Sequence, residues 1–353
     1  MHPIFVFEVA QGIDLDRAEQ LLAGAERPTF RHRGRATALF QYRPAPLRIS
    51  QERTPLALGA WQSDPVVDLV LYDFGAASVA YHVAVAGDLD DLLTASRTLA
   101  QDDALRRDAR SRVEALLHSI PAAATKPRVA GFTEDYAIFG LRTLPPGVTV
   151  SEFCDRNAAT IAQILRADGG DLSEDEIANA TELRISFGPS DLTIVDWDGA
   201  FVVDPDPEDV RAVLEFANVQ LLEMRWLDLQ MDHAIERSYQ VLGRRWGWRI
   251  FWPRGVNDDV RQVAELQLES AVLLERVSNA LKVFGEEYLA RIYRLAAKRF
   301  QLAELDATIS RKLATIESIY QKLSDHAATI RLEALEWIVI ALIAAEIVLG
   351  LLH

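Results

Sequence analysis

Residue types that can do chemistry are present in this sequence, but not at the spacings that catalysis or metal binding needs. No two histidines lie four residues apart, so they form no zinc-binding pair on a helix. The single cysteine, Cys154, excludes a disulfide framework within the chain and a cysteine-based zinc site, and we expect it to pack in the core beside Phe153. Phosphate-binding glycine loops and the Gly-x-Ser-x-Gly pattern do not occur. The sequence therefore predicts no catalytic residues, no cofactor, no metal ligands and no enzymatic activity.

One segment combines arginines with tryptophans inside an acidic chain. Residues 243–255 hold four arginines and three tryptophans, whereas the whole chain has 37 Lys and Arg against 52 Asp and Glu, a net charge of −15. The candidate contact residues are Arg244, Arg245, Trp246, Trp248, Arg249, Trp252 and Arg254. Such a mixture suits membrane lipid headgroups, a protein partner, or single-stranded nucleic acid, although the net charge disfavours nucleic acid. The alternative is a loop that covers the end of a helical bundle.

The last apolar stretch of the sequence predicts a membrane anchor. Residues 337–352 are sixteen in number and carry one charge, Glu346. As a helix they would span roughly 24 Å, against about 30 Å for a hydrocarbon core. We therefore predict a single-pass transmembrane helix, a tail anchor that leaves the rest of the chain on the cytosolic side. The anchor residues would be Trp337, Ile338, Ile340, Leu342, Ile343, Glu346, Ile347 and Leu349.

Two alternatives apply to this stretch. It could instead be a helix buried in the core of an oligomer, without contact to lipid. Glu346 is expected to pair with a neighbouring subunit, the alternatives being ion or proton handling or mere tolerance near the interface.

Apolar residues upstream of the stretch repeat at alternating spacings of three and four, which is typical of a coiled coil. The repeat begins at residue 302 and continues into the apolar stretch, and it predicts a continuous helical rod. The seam residues are Ile309, Leu313, Ile316, Tyr320, Leu323 and Ile330. Their partner would be a second copy of this chain, or alternatively residues 263–289 of the same chain in an antiparallel hairpin.

The first two hundred residues predict an α+β fold, with a mostly antiparallel sheet and helices. Apolar, partly β-branched runs predict strands at residues 4–9, 37–42, 66–72, 78–84, 136–143, 183–187, 192–197 and 201–203. Helices are expected to begin after Thr149 and Ser173, each of which has a glutamate three residues later. We therefore predict three regions: an α+β domain at 1–205, a helical, coiled-coil region at 206–336, and the transmembrane tail at 337–352.

Two stretches resemble a known family. These are the terminal run from Leu332, with Lys312, Tyr320 and Leu323 before it, and the Asp191–Asp196 motif with the helix that follows. Both are similar to the "required for meiotic nuclear division" (sporulation) family. The resemblance implies an α+β body, a long helical part ending in one membrane-spanning helix, and self-association. In eukaryotic members it implies support of mitochondrial translation, and since no transit peptide is evident, it implies a bacterial-type member here.

The functional expectation is a membrane-anchored, oligomeric scaffold that tethers an unknown protein partner and has no catalytic activity. The first alternative is a ribosome- or RNA-associated factor at the membrane that supports translation. The second is an enzyme of unknown type that uses the α+β domain.

Overall fold

The computed structural model describes residues 1–27, 44–243, 261, 264–265, 268 and 287–352. The chain divides into two compact units. The first comprises Met1–Trp226 and Val277–Ala303, and the second comprises Leu227–Arg276 and Glu304–His353. The predicted strand at 37–42, the arginine–tryptophan segment and most of residues 263–289 lie outside the described residues.

Thirteen strands are found in the described part of the chain. They are β1 (His2–Glu8), β2 (Gly12–Ile13), β3 (Ala25–Glu26), β4 (Leu47–Glu52), β5 (Ala57–Leu58), β6 (Trp61–Gln62), β7 (Val66–Leu71), β8 (Ala76–Ala80), β9 (Ala124–Thr125), β10 (Thr133–Leu141), β11 (Arg184–Ile185), β12 (Leu192–Val195) and β13 (Gly199–Val203).

Nine helices accompany them within the same described ranges. They are α1 (Leu15–Leu21), α2 (Leu89–Gln101), α3 (Ala104–Ser119), α4 (Val150–Arg156), α5 (Ala158–Arg166), α6 (Glu174–Glu182), α7 (Glu208–Gly243), α8 (Glu287–Arg299) and α9 (Leu302–Leu352).

The core of the first unit is one sheet, whose nine described strands follow the order β11-β12-β13-β10-β1-β8-β7-β4-β3. The pairing of β10 with β13 is parallel, and the other pairings in this sheet are antiparallel. β1 lies in the middle, and all seven of its residues are buried, as expected for an apolar strand covered on both faces. The predicted mixed α+β fold, with an N-terminal sheet and C-terminal helices, is confirmed.

Local sequence signals explain where several elements begin and turn. The Thr149 side chain accepts a hydrogen bond from the backbone of Glu152, and Ser173 does the same for Glu176, so both predicted helix starts are confirmed. Gly75 makes the turn between β7 and β8 at φ +110°, and a Cβ there would lie 1.9 Å from the Ala10 carbonyl oxygen. Only glycine fits such a turn without strain.

The prediction of a membrane span is wrong. Among the described residues, no helix combines the length and the apolar composition needed to cross a membrane. The physical reason lies in the charges: Glu336 and Glu346 leave nine uncharged residues between them, about 14 Å of helix at 1.5 Å per residue. The predicted tail anchor and the predicted single-pass membrane localisation are therefore also wrong. The same holds for the anchoring role predicted for Trp337, Ile338, Ile340, Leu342, Ile343, Glu346, Ile347 and Leu349.

Candidate functional site

The most unusual surface of the described chain lies on the second half of α9. Over residues 332–347, here called the apolar segment, nine large hydrophobic side chains are between 47% and 68% exposed. They are Leu332, Leu335, Trp337, Ile338, Val339, Ile340, Leu342, Ile343 and Ile347. A helix that is apolar on all sides is normally buried against other protein or lipid, and large exposed apolar patches mark interaction sites. The segment is therefore the candidate site.

The predicted seam residues fall into two groups along α9. Ile309 and Ile316 are fully buried within the single chain, while Leu313 and Tyr320 are half-buried. The side chains of Leu323, Ile330 and Leu349 lie outside the described part of the structure. The first half of the repeat is thus already covered in one chain.

An ion pair ties the covered half of α9 to α7 inside the second unit. Lys312 Nζ lies 2.7 Å from Asp228 Oδ1 and 2.7 Å from Asp232 Oδ1. The two aspartates are four residues apart and so share one face of α7, which lets one ammonium contact both carboxylates. This contact fixes the position of α9 well before the apolar segment begins.

Residues of the Asp191–Asp196 motif hold α8 in the first unit. Tyr288 of α8 donates a hydrogen bond to the Asp191 carboxylate at 2.9 Å. Asp196 is 1% exposed and pairs with the guanidinium groups of Arg299 and Arg166. Such a fully paired buried carboxylate is expensive to disturb, so the motif has a structural role in this chain.

A buried pair of carboxyl groups lies between the sheet and α7, and the sequence reasoning missed it. Glu8 of β1 and Glu223 of α7 are hydrogen-bonded to one another and almost fully buried. Burial raises the pKa of Glu8 well above its ordinary value, and the negative charge of Glu223 raises it further. Burial also raises the pKa of Glu223, to about 7. Glu8 is therefore the protonated group that donates the hydrogen bond, and the Glu223 carboxylate accepts this hydrogen bond.

The sequence indicates one member of this pair, Glu8, but not its partner. Glu8 interrupts an apolar strand, and a charge in a buried strand needs a partner or a proton. That partner is 215 residues away in sequence, counted from 8 to 223, and no spacing rule connects the two positions. The Oε2 atom of Glu8 and the Oε1 atom of Glu223 have no hydrogen-bond partner within the described structure.

A metal-binding cluster and a reactive cysteine are both missing from the described residues. No group of three or more His, Cys, Asp or Glu side chains there could hold a metal ion. Cys154 is buried in the core, as predicted. Burial raises the pKa of its thiol to about 11, which keeps it in the unreactive protonated form.

The fold and this surface define a class of protein: an α+β domain followed by long helices, one of which carries an exposed apolar segment. Residues 1–209 match the family model described as the N-terminal domain of uncharacterized protein MJ0711. Because the match covers more than half of the 353 residues, the chain belongs to this family.

The chain is also similar to a curated relative, uncharacterized protein MJ0711 of Methanocaldococcus jannaschii. The two are 25% identical over 202 residues, which are 56% of this chain and 61% of the relative. The match therefore spans less than two thirds of the relative's length. No solved structure matches this chain.

These findings overturn the resemblance to the meiotic nuclear division (sporulation) family. The family that matches is a different one, and the archaeal relative conflicts with a bacterial-type member. The physical reason is that Asp191 and Asp196 make a local turn and an ion pair. Such contacts recur in unrelated folds and carry little information about family.

Proposed function

We propose that this protein is an oligomeric scaffold without a catalytic role, whose subunits associate through the apolar segment of α9. The observation that carries the proposal is the exposure of nine large hydrophobic side chains on that segment. With a membrane span excluded from the described helices, the alternative of a helix buried in an oligomer core explains these side chains. Exposure of so much apolar surface to water would cost free energy, and burial against protein recovers it.

The partner that fits best is a second copy of the same chain. α9 is one unbroken helix of 51 residues, and its apolar repeat runs from the covered half directly into the exposed segment. Within one chain, α7 contacts the covered half through Lys312. A second copy brings an identical apolar helix, and a two-fold arrangement makes each segment cover the other.

Association of this kind gives a scaffold function by raising the local concentration of the proteins that bind to it. Each added chain brings another α+β unit to the same particle, so a protein bound to one unit meets its neighbours at high effective concentration. Such a mechanism requires no catalytic group.

The test is the mass of the full chain in solution, measured by light scattering on a sizing column. The wild type is expected at a multiple of 39.4 kDa. The double variant Ile340→Asp, Ile343→Asp places two charges on the segment and is expected at 39.4 kDa, since an unpaired charge in an apolar interface is costly.

The matched control is Leu229→Asp, on α7 of the same unit. Leu229 is also exposed, at 40%, but lies outside the apolar segment, so this variant should keep the wild-type mass. A monomeric wild type would overturn the proposal. So would a double variant that keeps the oligomer, since another surface would then hold the subunits together.

A further inference from the structure

A cavity of about 210 Å³ lies in the first unit, at the end of the central strands. His2 is the first residue of β1, and His82 follows β8 by two residues. The β1–β8 register pairs Ile4 with Ala80, so its continuation sets His2 opposite His82. The antiparallel hydrogen bonds do continue that far, since the Tyr81 amide donates to the Pro3 carbonyl. The two imidazole rings accordingly lie with their centroids 4.5 Å apart, and both line the cavity.

One nitrogen atom of the cavity wall has no partner within the described structure. His2 is 7% exposed, and its Nδ1 atom is buried without a hydrogen bond. A buried polar atom without a partner is costly, so this atom indicates a place where a polar ligand completes the structure.

The lining residues of the cavity include an arginine and no carboxylate. Arg142, immediately after β10, lines the cavity, is exposed, and makes no ion pair or hydrogen bond with any described residue. Burial lowers the pKa of His2, and the positive charge of Arg211 lowers it further, with a smaller effect from Arg142. The carboxylate in reach, Asp64, is already engaged, because its Oδ2 atom lies 2.5 Å from His82 Nδ1. An anion entering the cavity would meet the Arg142 guanidinium and no carboxylate among the lining residues.

We propose that this cavity binds a small oxyanion, the phosphate or carboxylate group of a low-molecular-weight ligand. The guanidinium of Arg142 provides the counter-charge, and its forked donors match the two oxygens of such a group. The imidazoles of His2 and His82 form the inner wall and hydrogen-bond the ligand. The Asp64 carboxylate accepts from His82 Nδ1 and so turns the Nε2 atom of that ring towards other partners.

The experiment is calorimetric titration of the full chain with inorganic phosphate and, separately, with succinate. Saturable binding of either probe at one site per chain supports the proposal. The probe that binds more tightly identifies the group as phosphate or carboxylate. Arg142→Gln is expected to weaken that binding at least about tenfold, because hydrogen bonds to charged groups are the strong ones. Arg142→Lys should weaken it less, since the charge remains.

The control variant is Arg107→Gln on α3. Arg107 is an exposed arginine that makes no ion pair with any described residue and lies outside the cavity wall, so its replacement should leave binding within about twofold. Because Arg142 is exposed and pairs with none of the described residues, its variants should fold as the wild type does. The proposal is overturned if neither probe binds up to about 10 mM, or if Arg107→Gln weakens binding as much as Arg142→Gln.

Discussion

Replacing Glu223 by glutamine should stabilise the first unit above neutral pH. Burial raises the pKa of Glu223 from 4.5 to about 7 in the folded chain, so the folded state holds a proton that the unfolded state has already released. The contribution of this one group to the free energy of unfolding is therefore fully present below pH 4.5 and is lost as the pH rises through 7. The shift corresponds to about 3 kcal/mol at most, at 1.36 kcal/mol for each pKa unit. Glutamine keeps the shape, still accepts the hydrogen bond from Glu8, and never ionises.

The assay is urea denaturation followed by circular dichroism between pH 5 and pH 8. The difference in free energy of unfolding between Glu223→Gln and the wild type should grow in the variant's favour across this range, because the other titrating groups are common to both proteins and cancel. The variant should therefore be the more stable protein at pH 8. Glu52→Gln, at the exposed end of β4, is the control and should follow the wild type. The reasoning is refuted if the stability difference between the two proteins does not change with pH, or if Glu223→Gln is the less stable protein at pH 8.

Three further predictions concern structure. Asp196→Asn leaves the Arg299 guanidinium buried without its counter-charge, so the free energy of unfolding should drop by about 3–5 kcal/mol. A drop of less than about 1 kcal/mol would contradict a structural role for Asp196. Gly75→Ala places a Cβ 1.9 Å from a carbonyl oxygen and should lower the thermal midpoint, whereas Gly131→Ala, where the space is open, should not. Cys154, whose thiol pKa burial raises to about 11, should react with iodoacetamide at pH 8 only in urea; rapid reaction of the folded chain would contradict its burial.

Elements governed by local chemistry could be predicted from the sequence. The strand at β1, the strands at β7 and β8 and the helix that begins after Thr149 all follow from patterns within about ten residues. The helix expected after Thr149 is followed directly by a second one, α5, because Asn157 ends α4 and begins the next helix. Its side-chain amide bonds the carbonyl of Phe153, a competition with helical hydrogen bonding that periodicity does not reveal.

Contacts between distant parts of the chain could not be predicted. The parallel pairing of β10 with β13 depends on about sixty intervening residues, and the Glu8–Glu223 and His2–His82 pairs form only once the sheet is assembled. These contacts depend on topology, and a single sequence specifies topology poorly.

The apolar segment shows a third relation between sequence and structure. Its composition predicts a surface that must be covered, whereas the predicted membrane span is wrong. Hydrophobicity indicates that a surface must be covered, whereas the identity of the cover depends on length and on charges such as Glu336 and Glu346. The same side chains fit an interface between proteins.

The most direct test of the proposed assembly is a distance between chains. A spin label on Ala341→Cys, in the middle of the apolar segment, with Cys154→Ser to remove the native thiol, reports whether two segments lie side by side. Helices in contact have axes about 8–10 Å apart, so we predict one short, well-defined distance between labels on different chains. Labels that show no dipolar coupling between chains would contradict assembly through this segment.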